Sequence, residues 1–289
     1  MIGRALFVAG VLAALTGFVL LSPGRAAREG RALTLRLEPP LPATPLPGVI
    51  GPASAPLIVI DPGHGAHDSG ARSATGEQEK DLTLALAHSI RDALIAGGKV
   101  RIALTREDDR FLILQERSDM ARRLGAALFL SLHADSAGEN DAARGATLYT
   151  LSDEASDVEA AALATRENRA DIVKGVNLSG RPDEVASILI DLAQRESQEE
   201  AVAFARRLHR EAAGALPFRA DYLRKAALVV LKVPEVPSVL FETGYITNKA
   251  DRGLLASADG RARVGQAVAR AVERHLVPRT ASAWAVPKL

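Results

Sequence analysis

Two histidines and two glutamates stand at positions where their side chains could act together on a metal ion. His64, His133 and Glu242 each follow a short apolar run, and the three runs are 57–60, 127–132 and 238–241. Such runs are typical of buried strands, and α/β sheets bind ligands at the carboxyl ends of their strands. Glu79 begins the first predicted helix. The pattern predicts a metal site at one edge of a sheet.

Two imidazoles and one carboxylate, from His64, His133 and Glu79, are a ligand set typical of catalytic zinc with an open fourth position. Zinc lowers the pKa of bound water to about 7 and polarises a carbonyl group, which suits hydrolysis of an amide or ester. Glu242 is placed to accept the proton of that water. Each residue alone has a simpler interpretation, as a polar surface residue or a charge that favours a helix start. The four together favour a metal hydrolase.

Composition narrows the classes of function. The chain has 289 residues, 47% of them apolar, which is enough for a substantial core. Its net charge of +1 provides no overall field that would select nucleic acid as a partner. The sequence contains no cysteine, which excludes disulfides, thiolate zinc sites and a lipid-modified N-terminal cysteine. Any zinc would therefore be held by histidine and carboxylate groups.

The N-terminal part of the chain has the features of an export signal. Arg4 precedes an apolar stretch at 5–21, and small residues near Ala26 offer a cleavage site, so residues 1–26 are predicted to be a signal peptide. We favour cleavage over retention as an anchor, which leaves no stable membrane span. Residues 27–56 are rich in proline and are predicted to be a linker. Residues 279–289 are predicted to be a tail, with no pattern that indicates a structure or a function.

From Leu57 onward, predicted strands alternate with predicted helices, which indicates an α/β domain. The apolar runs predict strands at 57–61, 100–105, 127–131, 146–151, 227–233 and 239–242. The periodicity predicts helices at 79–96, 114–124 and 262–276, and a long helical segment over 152–214. The short link at 232–237 predicts an antiparallel pair between the last two strands. In the second helix, Arg117 is expected to face outward.

Five segments, in this order along the chain, resemble the zinc-dependent N-acetylmuramoyl-L-alanine amidases that bacteria use in cell division. They are VIDPGHGAHDSGA (59–71), GEQEKDLTLALA (76–87), LTREDDRFLILQERSDMA (104–121), LFLSLHAD (128–135) and VPSVLFETGYITN (236–248). The resemblance implies a single catalytic domain over 57–278 with a mixed, mostly parallel sheet of about six strands flanked by helices. It implies Zn²⁺ on His64, Glu79 and His133, and Glu242 as the catalytic base.

The resemblance also implies a reaction and a location. Such an enzyme acts on peptidoglycan in the periplasm and cleaves the amide between the lactyl group of N-acetylmuramic acid and the L-alanine of the stem peptide. The sequence departs from the family pattern at Ala66-His67, where a second glycine is usual after His64-Gly65. His67 is an additional candidate ligand, but the three-ligand set is already complete, which favours a surface histidine.

Residues 152–198 form a helical insert similar to that of the amidases that stay inactive until an activator binds. In that subgroup a helix presents an acidic side chain to the zinc, and the candidates here are Glu167 first and Glu159 second. The implied activator is an exported division protein with a LytM-type domain. The simpler interpretation is a solvated helix stabilised by pairs of charges one turn apart.

Two other functions remain open from the sequence. One is hydrolysis of a different exported amide or ester by the same zinc site. The other is a degenerate amidase that only binds peptidoglycan or a division partner. The complete set of predicted ligands and the predicted base favour an active enzyme over the second alternative.

Overall fold

The computed structural model describes residues 44–138, 140, 142–173, 176–177 and 187–282, and it describes their side chains except at 171–193 and 278–282. The predicted signal peptide and most of the predicted tail lie outside these residues. No helix within the described part has both the length and the apolar character needed to cross a membrane.

Six strands form one sheet in the order β2-β1-β3-β8-β4-β7, and a separate short antiparallel pair is formed by β5 and β6. Of the five pairings in the large sheet, only β4 with β8 is antiparallel. The predicted mixed, mostly parallel sheet is therefore confirmed. The strands are β1 (Leu57–Pro62), β2 (Arg101–Leu104), β3 (Leu128–Asp135), β4 (Ala146–Leu151), β5 (Ile172–Val173), β6 (Val176–Asn177), β7 (Phe218–Ala226) and β8 (Ser238–Tyr245).

Helices cover both faces of the sheet, which explains why β1 and β3 are apolar on both sides. They are α1 (Glu79–Gly97), α2 (Leu114–Arg123), α3 (Val158–Glu167), α4 (Ser187–Ala212), α5 (Lys249–Ala256) and α6 (Ala258–Ser282). In β1, Ile58 and Ile60 pack in one core with α1, α4 and α6. Leu57 and Val59 point to the opposite core, which contains residues of α2 and α3.

The prediction of a strand at 227–233 is wrong, and so is its antiparallel pairing with the next strand. Its apolar residues pack into the core around a single turn of 3₁₀ helix at Val229–Leu231. The edge strand is β7 instead, whose polar side chains are partly exposed, so its sequence lacks an apolar run. The antiparallel partner of β8 is β4.

The predicted long helix over 152–214 is also divided. It consists of α3 and α4 with a 3₁₀ turn and the β5–β6 pair between them. The side chain of Asn168 explains why α3 ends. It donates to the carbonyl oxygen of Ala227 at 2.9 Å and accepts from the N–H of Val229 at 2.9 Å. These bonds fix the chain to the segment that follows β7.

The end of the predicted linker contacts the sheet. Ile50 and Ile102 exchange two backbone hydrogen bonds, of 2.9 and 2.8 Å, along the outer edge of β2. This contact covers part of an edge strand that would otherwise expose unpaired backbone groups.

Candidate metal centre and active site

The four residues expected to act together lie at one edge of the sheet. His64 follows β1, His133 lies near the end of β3, and Glu242 lies in β8 directly opposite His133. These three strands are neighbours, and Glu79 is the first residue of α1. The fold therefore brings together side chains that are separated by as many as 178 positions in the sequence, from 64 to 242.

His64, Glu79 and His133 form a compact buried cluster. Oε1 of Glu79 lies 3.1 Å from Nε2 of His64 and 3.0 Å from Nδ1 of His133. One donor atom from each of the three side chains lies within 4.8 Å of the others. This is a candidate metal site, because a single ion can contact two imidazole nitrogens and a carboxylate oxygen at such separations.

Hydrogen bonds from neighbouring groups orient two of these side chains. Nδ1 of His64 lies 2.9 Å from Oδ2 of Asp68, which leaves Nε2 directed at the cluster. Glu79 accepts from the N–H of Ala134 at 2.9 Å and from the N–H of Ala71 at 2.8 Å. Asp68 is not among the site residues predicted from the sequence. Its position four residues after His64, in a turn, is the signal that could have indicated it.

Two buried arginines hold the loop that carries His64. Arg106 donates to the carbonyl oxygens of Pro62 at 2.9 Å and Gly63 at 2.8 Å. Arg117 donates to those of Pro62 at 2.9 Å and His64 at 2.8 Å. The expectation that Arg117 faces outward is therefore wrong, because its guanidinium is needed as a donor beneath the loop and its side chain is buried.

Arg117 is paired with a buried carboxylate. Its Nη1 lies 2.8 Å from Oδ1 of Asp61. The hydroxyl of Thr105 donates to the same oxygen, and the hydroxyl of Ser131 donates to Oδ2. Burial acts to raise the pKa of Asp61, but the charge of Arg117 and these hydrogen bonds outweigh it and hold the pKa below its usual value. Asp61 therefore stays ionised and keeps the guanidinium of Arg117 in place.

Two glycines make room for the cluster. A Cβ atom at Gly63 would lie 2.5 Å from Nε2 of His133. A Cβ atom at Gly70 would lie 2.6 Å from both Oε2 of Glu79 and the His64 ring, and Gly70 has a φ of +61°. Only glycine allows the backbone to approach these ligands so closely.

Glu242 is buried beside the cluster. Neither of its carboxylate oxygens has a hydrogen-bond partner within the described part of the chain. Burial, together with the negative charges of Asp135, Glu79 and Glu167, raises the pKa of Glu242 well above its usual value. A buried carboxylate without a partner is costly and needs an explanation, such as a cation or a water molecule in the adjacent space.

The two candidate regulatory residues lie in different places. Oε2 of Glu167, at the end of α3, is 3.2 Å from Nδ1 of His133 and 3.6 Å from Nε2 of His64. Glu167, His133 and Glu242 also bring one donor atom each within 4.8 Å of one another. Glu159 is not in either cluster and pairs with Arg219 and Arg224 instead.

His67 lies outside both clusters. It is exposed, and its ring packs against that of Phe111 with the centroids 4.3 Å apart. Ala66, at the position where the resembling family usually has glycine, adopts a φ of +51°. Its backbone is held by Asp109, which accepts from its N–H at 2.7 Å, and by Lys80, which donates to its carbonyl oxygen at 2.8 Å.

Comparisons with known proteins agree with this architecture. A family model described as N-acetylmuramoyl-L-alanine amidase matches residues 58–274. N-acetylmuramoyl-L-alanine amidase AmiA of Escherichia coli (strain K12) is 37% identical over 217 residues, which cover 75% of this chain and 74% of AmiA. N-acetylmuramoyl-L-alanine amidase AmiC of Neisseria meningitidis serogroup B is 33% identical over 234 residues, which cover 81% of this chain and 56% of AmiC.

A solved structure has the same fold. The catalytic domain of CwlV, an N-acetylmuramoyl-L-alanine amidase from Bacillus (Paenibacillus) polymyxa var. colistinus, matches with a TM-score of 0.57 and 28% identity. The match covers 76% of this chain and 98% of the CwlV domain.

Proposed function

The chain belongs to the N-acetylmuramoyl-L-alanine amidase family, and from that premise we propose that it is a zinc-dependent peptidoglycan hydrolase. The bond cleaved is the amide between the lactyl group of N-acetylmuramic acid and the L-alanine of the stem peptide. The observation that carries this proposal is the convergence of His64, Glu79 and His133 within 4.8 Å, with Glu242 beside them.

The residues present fit a zinc ion. Two imidazoles and one carboxylate are a donor set that zinc uses in catalytic sites. Nε2 of His64 makes no well-aligned hydrogen bond within the described residues and faces Oε1 of Glu79 at 3.1 Å. When bound, zinc supplies an activated water molecule at neutral pH and polarises the substrate carbonyl. Asp68 would keep His64 in the tautomer whose Nε2 is free to bind the ion.

Glu242 supplies the base in this proposal. Its carboxylate accepts a proton from the attacking water and transfers it to the nitrogen of L-alanine, so that the C–N bond breaks with a neutral amine as the leaving group. The raised pKa of Glu242 makes its carboxylate a better acceptor for the proton of the attacking water. A divalent cation in the adjacent cluster would oppose the rise and keep enough of the ionised form.

We further propose that α3 holds the enzyme in an inactive state, with Glu167 in the position that water needs. Glu167 lies within 3.6 Å of both histidines through Oε2, and Arg166 pairs with its other carboxylate oxygen. Arg166 donates to Oε1 of Glu167 at 3.1 Å and to Oδ1 of Asp135 at 2.6 Å. A carboxylate placed there would occupy the fourth coordination position and exclude the reactive water.

The packing of α3 is compatible with its removal. Its buried residues apart from Glu167 are only Ala160, Leu163 and Ala164. Because small side chains bury little apolar area, polar contacts contribute a large part of the attachment. A helix held in this way can be displaced by a partner that binds it better in the open state.

We infer the biological setting from the sequence. The predicted signal at 1–26 and the family membership support export to the periplasm and a role in separating dividing cells. The proposed activator is an exported division protein with a LytM-type domain, which would bind α3 or the surface beneath it.

The test uses the full-length protein and purified peptidoglycan. We expect release of free stem peptides, identified by mass spectrometry, together with stoichiometric zinc after native purification. A chelator should abolish release, and added zinc should restore it. Release of a different product would indicate another amide hydrolase on this scaffold. Binding to peptidoglycan without zinc and without release, even after deletion of 153–175, would contradict the proposed activity.

A further inference from the structure

We propose that Arg219 and Arg224 form a binding site for a carboxylate on the peptide part of the substrate, and that Glu159 of α3 occupies this site in the inactive state. The inference rests on the proposed function, because α3 must leave before the substrate enters. It assigns a role to Glu159, which does not lie at the metal cluster.

The contacts of Glu159 are those of a carboxylate in a prepared site. Its two oxygens pair with the two terminal nitrogens of Arg219, at 2.5 and 3.1 Å. Nη1 of Arg224 lies 2.9 Å from the second oxygen, and the hydroxyl of Tyr245 donates to the first at 3.0 Å. Two-point pairing of an arginine with a carboxylate fixes the orientation of both groups, and arginine is favoured wherever a carboxylate must be recognised.

The local charges change when α3 is displaced. In the structure, Asp157, Glu159 and Asp221 face the two guanidinium groups. Asp157 is the N-cap residue of α3 and Glu159 lies in its first turn, so both leave with the helix. Asp221 lies in β7 and stays. Two positive charges would then face one negative charge.

The two guanidinium groups are held in a preformed position, which favours a replacement carboxylate. With α3 in place, the side chain of Arg224 is 4% exposed and that of Arg219 is 24% exposed. Departure of α3 exposes both groups on the side that Glu159 occupies, while Asp221 of β7 continues to orient them. A ligand that returns a carboxylate to this position forms charge-assisted hydrogen bonds with both arginines, so the open enzyme favours an anionic ligand over a neutral one.

The site lies at a useful distance from the reaction centre. Glu159 and Glu167 are eight positions apart on one helix, which corresponds to about 12 Å. An extended peptide spans about 3.4 Å per residue, so the arginines lie about three to four residues from the cleaved bond. An open groove of about 670 Å³ borders Arg219 and Glu159, and its lining also includes Ala137, Arg144 and Asp221.

Chemistry indicates which part of the substrate is bound. In an N-acetylmuramoyl-L-alanine linkage the carboxyl group of the lactyl ether is consumed in the amide. A free carboxylate near the bond must therefore belong to the peptide, on the leaving-group side. The expected ligand is a carboxylate about three to four residues along the stem peptide.

The test compares two matched muropeptides, one with the carboxylates of its peptide free and one with them converted to carboxamides. The full-length enzyme should cleave the free form with a kcat/KM about tenfold higher or more, as expected for charge-assisted hydrogen bonds. Because α3 must open for both substrates, the cost of opening cancels from this ratio. In Arg219→Gln the ratio should fall close to one, whereas kcat/KM for the carboxamide form should not fall, because this variant also loses an attachment of α3 and the cost of opening cancels from the ratio.

Two further variants complete the design. Arg219→Lys should retain part of the preference, and Arg263→Gln, at an exposed position on α6, should leave it unchanged. A wild-type ratio near one, or an unchanged ratio in Arg219→Gln, would contradict the proposed site. If Arg219→Gln does not fold, the wild-type ratio alone decides the question. Cleavage of neither substrate, with zinc bound and α3 deleted, would instead refute the proposed function and the site with it.

Discussion

Arg117 donates a hydrogen bond of 2.8 Å to the backbone carbonyl oxygen of His64, so a residue of α2 fixes the loop that carries a candidate metal ligand. The same guanidinium is paired with Asp61. His64 adopts a φ of +63°, a conformation that costs a non-glycine residue free energy. The hydrogen bonds from the two buried arginines to this loop stabilise that conformation.

Replacing Arg117 by leucine should weaken both folding and metal binding. The change leaves the carboxylate of Asp61 buried without its charged partner, for which we expect a loss of about 3–5 kcal/mol in the free energy of unfolding. We also expect zinc affinity to fall about 10- to 100-fold, because the His64 loop loses a supporting contact. Denaturant titration and competition with a chromogenic chelator measure the two effects.

Arg122→Leu, at an exposed position on the same helix, is the control and should change stability by less than about 0.5 kcal/mol. Equal effects of the two substitutions would contradict the assigned role.

The Asp61–Arg117 pair should make stability fall in acid. Because the folded-state pKa of Asp61 lies below its unfolded value of about 3.9, the folded protein binds fewer protons at this group than the unfolded chain. Its contribution to stability is therefore fully present above that value and is lost as the pH falls through the folded-state pKa. Denaturation midpoints measured from pH 6 to pH 2 should decrease more steeply below about pH 4 for wild type than for Asp61→Asn. Parallel curves for the two proteins would show that this pair does not contribute to the acid sensitivity.

Glu242→Gln should lower the rate of peptide release by about 10²- to 10⁴-fold, the usual range for loss of a general base. The substitution preserves the shape of the side chain, and Glu242 is outside the proposed ligand set, so zinc content should stay unchanged. Metal analysis and turnover of purified peptidoglycan on the same sample separate the two effects. A variant that retained its zinc and turned over at nearly the wild-type rate would rule out Glu242 as the base.

Glu167→Gln should raise the basal activity of the full-length protein. The neutral amide is a poorer partner for the ion and the two histidines, so the inactive state loses stability relative to the open one. A loss of about 1.4 kcal/mol corresponds to a tenfold rise in the open population. Dye release from labelled peptidoglycan in the absence of any activator measures the change. Glu154→Gln, at an exposed position just before α3, is the matched control. The proposal that α3 is inhibitory would be contradicted if activity were unchanged both in Glu167→Gln and in a deletion of 153–175.

Ala66→Gly should stabilise the protein slightly. At a φ of +51° an alanine carries a strain of about 1–2 kcal/mol, and glycine removes it at an entropic cost of about 0.4–1 kcal/mol in the unfolded chain. We therefore expect a gain of about 0 to 1.6 kcal/mol, visible as a higher Tm. Ala203→Gly, within α4, should instead destabilise by about 0.5–1 kcal/mol. A lower Tm for Ala66→Gly would show that its methyl group makes a favourable contact.

The candidate metal ligands could be found from sequence for a simple geometric reason. Parallel strands end at the same edge of a sheet, so polar residues at or shortly after the ends of the apolar runs lie near one another. His133 and Glu242 directly follow their runs, His64 comes after the short turn that ends the first run, and the start of α1 adds Glu79. The fold class follows from the same alternation of strands and helices.

The supporting residues could not be found in this way. Arg106 and Arg117 are charged residues in polar surroundings, where exposure is the usual outcome. Their burial depends on unpaired carbonyl groups in a loop about 40 to 55 positions earlier in the chain, a tertiary relationship that local periodicity does not contain. The edge strand β7 was missed for the opposite reason, because the strongest apolar run in its region packs as a turn.

The structure fastens α3 at both ends, by Glu159 on the arginines of β7 and by Glu167 with Arg166 at the histidine cluster. The activity of such an enzyme without its activator depends on the combined strength of both attachments. When one end of α3 detaches, the contact at the other end keeps the helix close enough to rebind. Each additional 1.4 kcal/mol of attachment reduces spontaneous opening tenfold. A partner that released only one end of α3 would leave most molecules in the inactive state. Hydrolysis of the cell wall would therefore begin only where a partner displaces the whole helix.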